Sequence, residues 1–183
     1  MNWIGLWTLT SREVGRFFKV YRQTVIPGLI SSVLYILIFG FTLEQRISSI
    51  EGISYTIFII PGLIMMNTLT NASSNPSSSL LQMKLTGQVP DLMQAPLSSL
   101  EISLAFIVGG VVRGVVNGIL ILLIGMWIGG MEVLYPIATI GFIFVVSIAF
   151  SSMGLLLGQL ADTWDQLATC LLYTSPSPRD NRV

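Results

Sequence analysis

Thr24–Leu43 and Pro136–Leu160 each run their full length without a charged residue. Twenty residues in a helix rise about 30 Å, which is the thickness of a bilayer's hydrocarbon core. Two further stretches are long and apolar, Tyr55–Ser74 and 100–129, the second carrying Glu101 and Arg113. Composition agrees. Apolar residues make up 52% of the 183-residue chain and charged residues 10%, against about a quarter charged in soluble domains. The expectation is an all-α, polytopic membrane helix bundle with spans at about 24–43, 55–74, 100–129 and 136–160.

Met1–Thr24 precedes the first span and lacks the layout of a cleavable signal peptide, because its charges follow its first apolar residues. It reads as an amphipathic helix lying along the membrane surface. Thr10 and Glu13 fit a capping box. Arg12, Arg16, Lys19 and Arg22 fall on one side, and Val14, Phe17, Phe18, Tyr21 and Val25 on the other. Trp3 and Trp7 suit the headgroup layer. Pro27 and Gly28 then fall in the first turn of the first span, where a missing N–H costs little.

The substantial polar break between the apolar blocks is Asn75–Ser99, NPSSSLLQMKLTGQVPDLMQAPLSS. It is too polar to span and reads as two short helical pieces. Leu80, Leu81 and Met83 form an apolar edge on the first, Gly87 stops it, and Pro90 restarts the chain at a first helical position. Two readings are open: a loop that takes a mechanical signal from a soluble partner, or a plain solvated connection.

The spans carry polar features that lipid does not accommodate. Pro61 and Gly62 interrupt the second span, and a kink is expected there. Its later half holds Asn67, Thr68, Thr70, Asn71, Ser73 and Ser74, which either bond to neighbouring helices or line a wet path. Ser98 and Glu101 form a capping box that starts the third span. Within that span Gly110, Gly114 and Gly118 recur every four residues, so one face admits a close helix backbone. Arg113 lies among them, roughly 16 Å deep, where an arginine costs about 3 kcal/mol on insertion scales. It either lines a substrate path or subunit interface, or fixes packing by bonding a neighbouring helix. No acidic residue lies at matching depth, so its partner is expected in another subunit or beyond Thr169. Ser147, Ser151, Ser152 and Gly154 give the fourth span a small-residue stretch. Basic residues cluster in the N-terminal segment, with Lys84 in the central stretch, which places the N terminus and that stretch in the cytoplasm.

Catalytic chemistry has little to stand on. Histidine is absent and there is a single cysteine, so there is no internal disulfide. No G-x-x-x-x-G-K-[ST] loop, H-E-x-x-H, C-x-x-C or G-x-S-x-G occurs. Asp162 and Asp165 are one turn apart, but nothing converges on them. No catalytic residue, cofactor or metal is expected, and a formal net charge of zero gives no reason to expect nucleic acid as a partner.

Cys170–Asp180 reads CLLYTSPSPRD. These eleven residues match the translation of a transposase-type sequencing-library adapter. Residues 170–183 are therefore expected to be non-native, and 1–169 to be the biological part of a longer protein.

Several segments in order carry a family resemblance: Arg22-Gln23-Thr24 with Pro27, Leu34-Tyr35, Phe39-Gly40, Phe58-Ile59 with Pro61-Gly62-Leu63-Ile64-Met65-Met66, Lys84-x-x-Gly87-x-x-x-Asp91-Leu92-x-x-Ala95-Pro96, and Gly109-Gly110-x-x-Arg113-Gly114. Together they resemble the permease subunit of a type-2 ABC exporter of the bacterial inner membrane. The resemblance covers Met1–Thr169. It implies six spans after an interfacial helix, and a coupling helix between spans two and three that docks on a separate ABC ATPase subunit. It also implies a second permease subunit, with substrate crossing between the two. On this basis Lys84, Gly87 and Asp91 belong to the coupling region and Arg113 sits near the path between the subunits; Asn67 and Asn71, from their polarity within the second span, are candidates for the path or an interface. The chain departs from the pattern after Thr169, where the family continues into a fifth span, a re-entrant segment and a sixth span. A chain missing these is expected to leave Arg113 and the glycine face uncovered. The alternative reading is a membrane scaffold that anchors a soluble partner without moving substrate.

Overall fold

The computed structural model describes residues 2–44, 55–130 and 133–173. They form six helices: α1 Trp3–Glu44, α2 Tyr55–Leu85, α3 Val89–Gln94, α4 Ser99–Gly129, α5 Pro136–Leu160 and α6 Trp164–Tyr173. Four of these, α1, α2, α4 and α5, are long and apolar enough to cross a membrane. α2 packs on both α4 and α5, and α1 packs on α4 and α2. The expected all-α bundle is what forms. Arg46, Glu51 and Glu132 lie outside the described residues, as does 174–183 of the expected tail. Cys170–Tyr173 continue α6.

Three boundaries differ from the sequence expectation. α1 is continuous from Trp3 to Glu44 and passes through Pro27, so the surface helix and first span are one element. The Thr10–Glu13 capping box does not form. Glu13 is instead turned inward, on a stripe with Leu9 and Phe17 at four-residue spacing. The basic side is also divided. Lys19 and Arg22 are exposed, whereas Arg16 reaches inward to Asn75.

The second difference is larger. α2 does not end near Ser74 but continues eleven residues to Leu85, so the first half of Asn75–Ser99 is helix rather than loop. Its 31 residues extend about 46 Å, well past a 30 Å hydrocarbon core. The polarity that suggested a loop is absorbed locally. Ser73, Ser74 and Ser77 donate to backbone carbonyls one turn back, as does Thr70 to Met66, which removes their hydroxyls from competition with the helix. Pro76 leaves the Ala72 carbonyl without its helical donor. Gly110 faces that carbonyl: a Cβ on Gly110 would be 2.7 Å from it, so only glycine admits so close an approach.

The helix then stops as expected. Gly87 has φ +70°, the left-handed conformation that glycine adopts without a Cβ clash. Gln88 N–H bonds the Met83 carbonyl at 2.9 Å and Gly87 N–H the Lys84 carbonyl at 3.2 Å, the pair of bonds of a Schellman stop. Pro90 falls in the first turn of α3. The Ser98–Glu101 capping box forms at the start of α4.

The third difference is α6. The uncharged run of the fourth span ends at Leu160, but a further helix begins at Trp164. Leu167 is buried with Leu81 and Ala161, while Asp162 and Asp165 are exposed.

Candidate functional site

The turn 86–98 carries α3, none of whose residues is buried. Everything around it is anchored. Lys84, at the last turn of α2, donates to the Gln159 and Ala161 carbonyls at 2.5 and 3.0 Å and lies 3.5 Å from the Asp162 carboxylate. A cation over the last carbonyls of a helix meets both its unpaired acceptors and its negative dipole end. Lys84 therefore ties the carboxyl end of α2 to that of α5. Met83 is buried with Phe106 of α4 and Leu155 of α5, with Val89 and Leu92 of the turn packed against them. On the far side Leu97 lies against Gly5 of α1. Glu101 accepts from Ser98 N–H at 2.8 Å and from Asn2 N–H at 2.7 Å, so one carboxylate holds the starts of both α4 and α1.

Of the three residues expected in this region, Lys84 faces α5, Gly87 sets the turn, and Asp91 is exposed in the first turn of α3. The sequence places them together; the structure gives them different tasks.

A second polar cluster lies one layer deeper, between α1, α2 and α4. Glu13 is 1% exposed. Its carboxylate accepts from Ser79 Oγ at 2.7 Å and from Arg12 at 3.1 Å, and lies 3.6 Å from Arg16 Nε. Arg16 also donates to the Asn75 carbonyl and side-chain oxygen at 3.0 and 3.3 Å. Gly109 of α4 presses on this cluster: a Cβ there would be 3.0 Å from Glu13 Cβ and 3.2 Å from Asn75 Nδ2. Sequence reasoning missed this group. A signal was present, since Glu13 is the sole carboxylate before Glu44 and shares a four-residue spacing with Leu9 and Phe17.

The membrane-depth residues form a chain of bonds. Asn67 donates to Ser32 of α1 at 2.8 Å, Asn71 donates to the Asn67 carbonyl at 3.0 Å, and Arg113 Nε donates to Asn71 Oδ1 at 3.2 Å. Asn117 donates to the Arg113 carbonyl at 2.8 Å. Arg113 thus finds a partner within this chain, a neutral amide rather than a carboxylate, and is 8% exposed. The expectation of a partner in another subunit or beyond Thr169 is corrected, because a side-chain carbonyl on an adjacent helix serves an arginine as an acceptor. Gly110, Gly114 and Gly118 are also covered. They face Ala72, Pro76 and Thr68 of α2 and Ser151, Ser147 and Ile143 of α5.

Substituting Arg113→Leu is expected to separate insertion from folding. Membrane insertion of α4 should become easier by about 3 kcal/mol. The folded bundle should lose about 1–3 kcal/mol, because Asn71 Oδ1 is left unpaired. Glycosylation-mapped insertion together with a thermal unfolding curve reads both. An unchanged melting temperature would show that the Asn71 bond is dispensable.

Among the described residues no group of three or more His, Cys, Asp or Glu could hold a metal ion. What the geometry offers is a rigidly braced, exposed turn on a helix bundle, with buried charge clasps beneath it and no convergent nucleophile.

Four apolar helices joined through buried polar layers define a multi-pass membrane protein. The chain belongs to the ABC-2 type transporter family, which matches residues 5–172. It is 34% identical over 168 residues to the inner membrane transport permease YadH of Escherichia coli K12, covering 92% of this chain and 66% of that protein. YadH of Shigella flexneri matches to the same extent. Nodulation protein J of Rhizobium leguminosarum bv. viciae is 21% identical over 168 residues, covering 90% of this chain and 63% of that protein. The chain therefore spans about two thirds of the length of these curated relatives. No solved structure gives a significant match. Family membership and the inner-membrane relatives agree with the expected multi-pass location in the inner membrane, and they do not favour the scaffold alternative. The Gly110, Gly114 and Gly118 face is occupied within the chain.

Proposed function

We propose that this chain supplies part of the permease of an ATP-driven exporter, with the turn 86–98 receiving motion from a separate ABC ATPase subunit. The observation that carries this reading is the bracing of α3. A helix with no buried residue is suspended between the ends of α2 and α4, and Lys84 and Glu101 link those ends to α5 and α1. A push on α3 would therefore reach four long helices at once. Exposed Asp91 is the residue offered to the ATPase, Gly87 holds the turn, and Lys84 passes the displacement to α5.

In this reading ATP binding and hydrolysis take place in the partner. Substrate crosses along the interface between two permease subunits by alternating access. The α3 end of the bundle, with the start of α1, faces the cytoplasm. The intact parent carries two further spans. Arg113, Asn67 and Asn71 brace the helices that line the path.

The test replaces residues 86–97 with a Gly/Ser segment of equal length in the full-length parent, reconstituted with its ATPase. Nucleotide-coupled export should fall at least about tenfold, equivalent to about 1.4 kcal/mol of coupling, while the protein remains inserted. Retained coupled export would remove the role assigned to this turn.

A further inference from the structure

Beside the Glu13 cluster a groove of about 420 Å³ opens between α1 and the end of α2, lined by Arg12, Arg16, Lys19, Gln82, Met83 and Thr86 among others. Its charge is unbalanced. Three cations line it against one carboxylate, Glu13, whose two oxygens are already engaged by Arg12, Arg16 and Ser79. Arg16 Nε stands 3.6 Å from the Glu13 carboxylate without a hydrogen bond, so the acceptors among the described residues do not saturate this five-donor group. Lys19 is exposed and makes no ion pair or hydrogen bond among the described residues. The adjoining groove, lined by Asn2, Arg12, Asp91 and Pro96, contains one cation and one anion and has no such excess.

An electropositive concavity with spare N–H donors selects an anion with several acceptor oxygens, which a phosphate supplies. The surroundings bear on its source. Phe18 and Tyr21, on either side of Lys19 and Val20, are exposed. On a membrane protein an exposed aromatic row beside basic residues lies at the headgroup layer. A phosphate reaching the groove can therefore keep its acyl chains in lipid.

We propose that this groove is a binding site for the phosphate of an anionic phospholipid headgroup, held by Arg16 and Lys19 with Arg12 at its edge. The ligand would fill the donor capacity that Glu13 leaves unused and would bridge α1 to the end of α2.

The test uses the full chain in detergent micelles and follows its melting temperature during titration with phosphatidylglycerol, phosphatidylcholine or inorganic phosphate. Among the described residues Lys19 has no partner to lose, so Lys19→Gln leaves the fold intact. Arg22→Gln, three residues on and outside the groove, removes the same charge elsewhere. Saturable stabilisation by phosphatidylglycerol and not by phosphatidylcholine is expected. Its half-saturation point should rise about tenfold in Lys19→Gln and less than about twofold in Arg22→Gln. If inorganic phosphate stabilises to the same plateau and competes with the lipid, the phosphate site stands and its source is the free anion. If both variants weaken the effect equally, or neither anion stabilises, the groove is only part of a diffuse basic surface and the proposal fails.

Discussion

Substituting Gly154→Leu is expected to destabilise the bundle by about 3 kcal/mol, more than a leucine placed almost anywhere else on α5. A Cβ at Gly154 would fall 2.6 Å from Ser73 Cα and 2.7 Å from its carbonyl carbon, and would meet the Ser73 carbonyl oxygen as well. These are backbone atoms of a buried helix, so no rotamer change relieves the overlap. Gly158, one turn on, meets Ser77 in the same way at 2.8 Å. The close approach of α5 to α2 depends on both. Gly141 is the internal control, because nothing lies within 4 Å of its Cβ position. Thermal unfolding of Gly154→Leu and Gly141→Leu, with the fraction of monodisperse protein after extraction, measures the difference. Equal melting temperatures in the two variants would mean that the α2–α5 approach is not as close as described.

The second large effect is expected at Glu13. Removing one member of a buried ion cluster leaves the others uncompensated, and Glu13→Ala should cost about 3 kcal/mol. Ser79 loses its acceptor, and Arg16 keeps its charge against Asn75 without a counter-ion. Glu13→Gln should fall between, retaining an acceptor for Ser79 but no charge. The double change Glu13→Leu with Arg16→Met should recover much of the loss, since it removes both charges together. A double-mutant cycle on melting free energies distinguishes this from simple loss of packing. Additive effects of the two single changes would show that the pair is not coupled.

These sites differ in how far the sequence announces them. Uncharged runs of helical length mark the spans directly, and Pro136–Leu160 forms as α5 without adjustment. Gly87 and the Ser98–Glu101 box depend on neighbours within a few residues, and both are legible. The end of α2 is not. Serines and a proline argue for a loop when read one at a time, whereas in the structure the serines bond back to α2's own carbonyls and Gly110 and Gly158 pack on Pro76 and Ser77. The Asn71 acceptor for Arg113 was hidden for a related reason. A charge invites a search for an opposite charge, whereas a buried amide carbonyl leaves no mark in a charge pattern. Lys84 shows the opposite case. Its position is evident, but its work at the α5 carboxyl end depends on residues 75 and 77 positions away in sequence.

The hydroxyls of α2 that bond back to their own helix have a consequence for biogenesis. Over an 18-residue window mean hydropathy is 1.2 in α2 and 2.3 in both α4 and α5, yet the most polar of these three is the one in the middle. A ribosome releases α2 first, before either companion exists to cover it. A helix that answers most of its own hydroxyls can wait in lipid until the two greasier segments arrive and close around it. Asn67, Asn71, Asn75, Ser79 and Lys84 then remain for α2 to settle with other helices, and α1, which emerges earlier still, brings the partners for three of them, Ser32, Arg16 and Glu13.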